Sequence, residues 1–182
     1  MQTKINIKPI TYIYVVLMVF LLPLKWLFAW LFATVFHEVC HWFAVKLCGG
    51  EIYSLTVGLD GAKMECGPMS NRKNLVSVLC GPFGGLLLVL LGKWMPRVAL
   101  CSWFLSIYNL LPLLPLDGGR ALEILFGQKA RVFQRVFLCF LTFGALYALV
   151  ILRFGFLPLV IVAALWLKNR NSPCKPGVCK VQ

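Results

Sequence analysis

Long apolar runs take up most of this chain of 182 residues and decide the environment in which it can fold. Hydrophobic residues make up 60% of the sequence and charged residues only 13%, more apolar surface than one water-soluble core could bury. Since a membrane-spanning helix needs about 20 apolar residues, the runs predict an all-α polytopic membrane protein with about six transmembrane helices. The predicted spans are residues 10–24, 26–48, 75–92, 98–116, 132–152 and 154–167.

Positive charge is divided unevenly between the two sides of this predicted bundle. The chain has 18 Lys and Arg against 6 Asp and Glu, a net charge of +12. With a cytosolic N-terminus, only Lys25, Lys93, Arg97 and Arg153 fall on the extracytoplasmic side. Because cationic loops stay in the cytosol, both termini are expected there. The charge is therefore interpreted as membrane topology, and no nucleic-acid partner is expected.

The two ends of the chain are predicted to contribute little beyond this bundle. The first apolar run follows a basic start, but no small-residue cleavage site comes after Leu24, so the run is expected to remain as an anchor. Residues 1–167 are predicted to form a single intramembrane domain. Residues 168–182 are predicted to form a basic cytosolic tail with no separate soluble domain, in which Cys174 and Cys179 have no metal-binding companions.

The segment between the second and third runs differs from everything around it. Residues 52–57 are β-prone, and Asp60-Gly61 is a strong two-residue turn signal before residues 62–66. A short β-hairpin at the cytosolic membrane surface is therefore expected. Two roles stay open for it: a compact loop, or an exposed strand edge to which an extended peptide could add.

The second run contains the most informative motif, His37-Glu38-Val39-Cys40-His41. On a helix its two histidines lie four residues apart on one face, where both imidazoles could reach one Zn²⁺, and Glu38 could take a proton from a metal-bound water. They are the only two histidines of the chain, and ionisable residues at this depth are costly to bury. The alternative is a pair of core histidines hydrogen-bonded to neighbouring helices.

A catalytic zinc takes three protein ligands and keeps one position for water, so a third ligand is needed. The carboxylates of the surface loop and Glu123 are more simply explained as solvated or ion-paired groups. Asp117 ends the fourth predicted span after two prolines and before two glycines, where unwound backbone could offer its carboxylate inward. A helix-capping role is its alternative. Since His41 and Asp117 both fall toward the cytosolic ends of their spans, they could meet.

Two strings together resemble the site-2 proteases, a family of intramembrane zinc metalloproteases. They are His37-Glu38-x-x-His41 and Asn109-x-x-Pro112-x-x-x-Leu116-Asp117-Gly118, and the resemblance covers residues 5–127. It implies that His37, His41 and Asp117 bind Zn²⁺ and that Glu38 is the general base. Gly81-Pro82 matches a further family motif, although Phe83-Gly84-Gly85 follows it where many members have an asparagine.

The resemblance also implies a reaction and a substrate class. The expected activity is a zinc metalloendopeptidase that hydrolyses membrane-anchored or membrane-associated proteins in regulated intramembrane proteolysis, with Asn109 either binding the substrate backbone or making an ordinary interhelical contact. The compact layout and residues 109–119 look most like the stage IV sporulation protein FB branch without its CBS domain. A sporulation sigma-factor precursor or an anti-sigma factor in the bacterial cytoplasmic membrane is the implied substrate.

Two other classes of function stay open at this point. One is a small ion transporter whose intramembrane His, Glu and Asp side chains form an ion pathway, although the sequence shows no internal repeat. The other is a catalytically inert membrane protein that binds and retains partners. Besides the lipid bilayer and a membrane-anchored substrate, a membrane inhibitor protein or a second copy of the chain are candidate partners.

Overall fold

The computed structural model describes residues 4–7, 9–58, 61–151, 156–170 and 179–181. These ranges contain helices in every predicted span and a small sheet, as expected for a helical membrane protein with a β-hairpin. The helices are α1 (Pro9–Leu21), α2 (Leu24–Leu47), α3 (Asn71–Val89), α4 (Pro96–Asn109), α5 (Asp117–Phe126), α6 (Ala130–Val150) and α7 (Leu157–Arg170). The strands are β1 (Lys4–Ile7), β2 (Ile52–Gly58), β3 (Gly61–Cys66) and β4 (Cys179–Val181).

Three helical segments of the described chain are long and apolar enough to cross a bilayer: Leu24–Leu47, Asn71–Lys93 and Asp117–Val150. Helices α1, α4 and α7, with 13, 14 and 14 residues, are shorter than the roughly 20 residues of a perpendicular span. Large apolar side chains such as Phe20 and Phe140 face outward, where lipid can cover them. The chain is therefore a membrane protein, and three helical segments of its described residues have full spanning length.

The fourth helix is shorter than the predicted span of residues 98–116. Helix α4 ends at Asn109, and the chain then runs irregularly until α5 begins at Asp117. Pro112 and Pro115 lie in this connection. Proline has no backbone N–H to donate to a helical hydrogen bond, and the irregular connection does not require one. The predicted end of the span at residue 116 is therefore wrong, because the helix ends at Asn109. Asp117 is the first residue of a new helix rather than the last residue of a span.

The predicted β-hairpin is confirmed, and it belongs to a larger sheet of order β1-β2-β3-β4. β2 and β3 pair antiparallel from Ile52↔Cys66 to Gly58↔Gly61, while Asp60 of the predicted turn lies outside the described residues. β1 pairs parallel with β2, and β4 pairs antiparallel with β3. Both edges of the hairpin are thus paired within the chain. Cys179 lies in a strand and not in a plain tail, and Cys174 is outside the described part.

The sheet is joined to the helices by an apolar cluster on the side of the bundle that the charge pattern assigns to the cytosol. Val45 of α2, Met64 and Cys66 of β3, Val78 of α3 and Ala121 of α5 are buried together in it. One cluster therefore fixes α2, α3 and α5 relative to one another. These three helices carry the predicted metal ligands and the backbone that surrounds them.

Candidate metal centre

His37 and His41 lie one turn apart on the buried face of α2. Their side chains are 2% and 0% exposed, in line with the buried Ala33 and Ala44 of the same helix. The two Nε2 atoms are 3.1 Å apart, so both imidazoles turn the same nitrogen toward one point. This is the arrangement that the four-residue spacing predicts for two ligands of one ion.

Asp117 brings its carboxylate to the same point from the first turn of α5. It is 1% exposed, and its Oδ2 atom lies 3.2 Å from Nε2 of His37 and 3.2 Å from Nε2 of His41. Asp117 follows the two histidines by 80 and 76 positions in sequence, yet the three predicted ligands meet in one buried group that could hold a metal ion.

The two glycines after Asp117 set its position. A Cβ on Gly118 would collide with the backbone carbonyl of Leu110, and a Cβ on Gly119 with the backbone of Leu113. The connection after α4 therefore folds back directly onto the start of α5. Only glycine permits this close approach of two backbone segments, and the approach aims Asp117 at α2.

The protonation of His41 follows from its second ring nitrogen. Nδ1 lies 2.8 Å from the carbonyl oxygen of Ser77 on α3; because a carbonyl only accepts, Nδ1 must carry the hydrogen and donate it. In the neutral ring, Nε2 of His41 is then a hydrogen-bond acceptor, and it faces Oδ2 of Asp117, which is also an acceptor. A hydrogen on Nε2 of His37 can be donated to only one of these two atoms. A cation placed among the three atoms would remove the remaining repulsion between the two acceptors. A ring N–H bonded to a backbone carbonyl is also typical of metal-binding histidines.

The distances and the donor types fit a small metal ion. Donor atoms about 2.0–2.1 Å from a tetrahedral zinc ion are about 3.3 Å from one another, close to the 3.1 and 3.2 Å separations of these three atoms. Asp117 Oδ1 and His37 Nδ1 are buried and have no hydrogen-bond partner within the described ranges. An ion would supply the charge that this buried carboxylate otherwise lacks.

The remaining predicted site residues lie nearby without joining the triangle. Glu38 follows His37 on α2 and is half-buried. Asn109 is the last residue of α4, is also half-buried, and begins the connection that leads to Asp117. The structure therefore places Glu38 beside the candidate ligands and Asn109 at the start of the segment that positions one of them.

Gly81 of α3 has a structural role that the motif alone did not explain. A Cβ at this position would collide with the imidazole of His41, so α3 can approach α2 only because residue 81 has no side chain. Gly84 makes a similarly close approach to Cys40 of α2, and Gly85 to Ser106 of α4. The glycine of the Gly-Pro motif therefore lets α3 pack directly against the imidazole of His41.

Replacing Gly81 with Ala should lower the affinity for zinc by roughly tenfold or more, because the new methyl group must displace the ring of His41. The measurement is a competition titration with a zinc chelator on the purified protein. Gly144→Ala is the matched control, since a Cβ on Gly144 meets nothing within 4 Å. Equal zinc affinity in both variants would show that the ring is not held by this contact.

Sequence analysis missed two further residues of this region. One is Ser77, which acts through its backbone carbonyl and leaves no side-chain signal. The other is Gln134 of α6, which is 1% exposed and donates from Nε2 to the carbonyl oxygen of Gly119, 3.2 Å away. A single amide inside an apolar run is a recognisable signal, because buried polar groups in a membrane need partners.

Replacing Gln134 with Leu should weaken zinc binding by roughly tenfold, because α6 then no longer holds the first turn of α5 on which Asp117 lies. Zinc affinity and thermal unfolding are measured together. Thr142→Val removes the hydrogen bond that Thr142 donates to the carbonyl of Leu138 and the one it accepts from Trp166 of α7. It should lower the unfolding temperature without this loss of affinity. If both variants lose affinity in proportion to stability, Gln134 has no specific effect on the centre.

The fold and this centre define a class: helical membrane proteins that bury a His–His–Asp group between their helices. The structure is similar to that of a site-2 protease from Methanocaldococcus jannaschii, with a TM-score of 0.66 and 17% sequence identity over 96% of this chain and 94% of that one. No protein-family model matches the chain, and no curated protein matches it in sequence. The shared fold confirms the architecture that the two sequence strings implied.

Proposed function

We propose that this protein is an intramembrane zinc metalloendopeptidase of the site-2 protease type. The observation that carries the proposal is the triangle formed by Nε2 of His37, Nε2 of His41 and Oδ2 of Asp117. The triangle stands on a His-Glu-x-x-His helix within a fold shared with a site-2 protease. Neither the fold nor the motif would support this function as strongly alone.

The proposal gives each residue of the centre one task. His37, His41 and Asp117 hold Zn²⁺, which when bound polarises the scissile carbonyl and acidifies a water. The backbone carbonyl of Ser77 accepts a hydrogen bond from the Nδ1–H group of His41 and keeps the Nε2 lone pair directed at the ion. Glu38 accepts a proton from the attacking water and donates it to the leaving nitrogen of the peptide.

A helical substrate must unwind before its peptide bonds become accessible, and the sheet offers a support for an extended segment. Because β1 and β4 already pair with the hairpin, a substrate strand would lie beside one of them or replace it. Asn109 is proposed to hydrogen-bond the backbone of the substrate near the centre. These steps favour a membrane-anchored protein as the substrate.

The finer features of the proposal rest on the sequence strings and on the charge pattern. Residues 1–167 form one protease domain in a bacterial cytoplasmic membrane, with both termini in the cytosol. The substrate that the sequence resemblance implies is a sporulation sigma-factor precursor or an anti-sigma factor. A membrane inhibitor protein and a second copy of this chain are further partners that a pull-down with the Glu38→Gln variant would reveal.

Zinc content and zinc-dependent cleavage test the proposal directly. The purified full chain should contain about one zinc ion, as expected for a single catalytic site. It should cleave a membrane-anchored model substrate in liposomes, lose this activity on chelation and regain it when zinc is restored. A folded protein that takes up no zinc would contradict the proposal, and ion flux through the same liposomes would then favour a transporter.

A further inference from the structure

A groove with a volume of about 590 Å³ opens between the N-terminal part of α2 and the start of α4, away from the metal centre. Lys25, Phe28, Phe32 and Val35 of α2 line one side of it, and Trp94 and Arg97 lie on the other. Lys25 precedes His37 by twelve positions, about 18 Å along a helix at 1.5 Å per residue. None of its lining residues belongs to the candidate metal centre, so the groove is distinct from the proposed catalytic site.

Positive charge accumulates at one end of this groove. Lys25 and Arg97 lie in the first turns of α2 and α4, and neither first turn contains an acidic residue. Helix N-termini carry partial positive charge, so a cation in this position is unfavourable for the helix itself. Two such cations at two adjacent N-termini form a positive patch whose charge an anion from outside the helices would offset.

Within the described residues, no carboxylate lines the groove. The acidic residues of this part of the chain are Glu38, Glu51, Glu65, Asp117 and Glu123, and none of them belongs to the lining. Of the four cations that the charge pattern assigns to the extracytoplasmic side, Lys25 and Arg97 line the groove and Lys93 directly precedes Trp94. Lys and Arg are usually more frequent in the cytosolic loops of membrane proteins, so these cations are exceptions to that rule.

The other end of the groove is apolar. Phe28, Phe32 and Val35 follow one another at intervals of four and three residues on one face of α2, and all three are exposed. Trp94 is 74% exposed beside them, and tryptophan favours the boundary between lipid tails and headgroups. A ligand that satisfies both ends has an anionic head and an apolar chain.

We propose that this groove binds an anionic phospholipid. The lipid phosphate lies between Lys25 and Arg97, and an acyl chain runs along Phe28, Phe32 and Val35. The proposal does not depend on proteolysis, because none of these residues belongs to the metal centre. It gives Lys25 and Arg97 a partner that the membrane itself supplies.

Lipid titration of the purified full chain, followed by native mass spectrometry, tests this assignment. Phosphatidylglycerol and phosphatidylcholine with identical acyl chains are the probes. The unmodified protein should bind phosphatidylglycerol more tightly, and Lys25→Gln with Arg97→Gln should lower that affinity about 25-fold, at about fivefold for each cation. Phosphatidylcholine binding should change little, and Arg97→Lys should keep most of the preference.

The matched control pair is Lys129→Gln with Arg131→Gln, which removes two exposed cations near the start of α6. Equal lipid affinities in the unmodified protein, or equal losses in the two pairs, would overturn the proposal. A measurement without variants guards against misfolding: phosphatidylglycerol with a photoreactive acyl chain should label the peptide that contains Phe28 and Phe32. Labelling confined to other helices would also overturn it.

Discussion

Glu38→Gln should abolish peptide cleavage while zinc stays bound. The amide keeps the size and hydrogen-bonding shape of the carboxylate but cannot accept the proton of the attacking water. His37, His41 and Asp117 are unchanged, so the triangle that would hold the ion remains. General-base catalysis contributes about 10²–10⁴-fold to such reactions, and the cleavage rate should fall by a factor in this range.

Two measurements on the same preparation check this prediction: the rate of cleavage of a membrane-anchored substrate in liposomes, and zinc per chain by elemental analysis. Glu51→Gln is the matched control, because Glu51 is exposed next to the sheet and outside the centre. It should retain both activity and zinc. Cleavage that persists in Glu38→Gln would remove Glu38 from the role of base, and loss of zinc would show that it supports the ion instead.

The candidate metal centre was the part of the structure most accessible to prediction, because each of its three candidate ligands leaves a local signal. The four-residue spacing of His37 and His41 predicts a shared helix face whatever surrounds it. Asp117 stands out as a carboxylate between two prolines and two glycines in an apolar chain. The structure brings these three side chains together as the spacing and the topology predicted.

The start of α5 could not be predicted in the same way. Prolines indicate where a helix stops, but not where the next one begins. The new helix begins at Asp117 because Gly118 and Gly119 pack against the backbone of Leu110 and Leu113. That contact is tertiary, so a local pattern assigns Asp117 to the end of the preceding span.

The sheet shows the same limit for strand pairing. The hairpin of β2 and β3 follows from a local turn signal, whereas β1 and β4 are four and three residues long and too short for a recognisable alternation. Their partners lie far away in sequence, with Lys4 opposite Ser54 and Val181 opposite Met64. An exposed hairpin edge was one of the two roles that the sequence left open, and the structure pairs both edges within the chain.

Asp117→Asn should weaken both zinc binding and cleavage. The amide oxygen is a neutral and weaker ligand than a carboxylate, and the amide nitrogen is a donor that can turn toward the two Nε2 atoms. Loss of a direct ligand should exceed the 10- to 100-fold loss that is typical of residues supporting a ligand, so we expect zinc affinity to fall by more than about 100-fold. Cleavage should fall with it at limiting zinc.

A chelator competition titration gives the zinc affinity, and cleavage assays at limiting and at saturating zinc separate a binding defect from a catalytic one. The matched control is Glu123→Gln, a carboxylate-to-amide change on the same helix α5. Because Glu123 lies outside the triangle, its variant should bind zinc as the unmodified protein does. Unchanged affinity in Asp117→Asn together with a loss in Glu123→Gln would move the third ligand to Glu123. Unchanged affinity in both would move the third ligand to a cysteine or to one of the other four carboxylates of a chain with only two histidines.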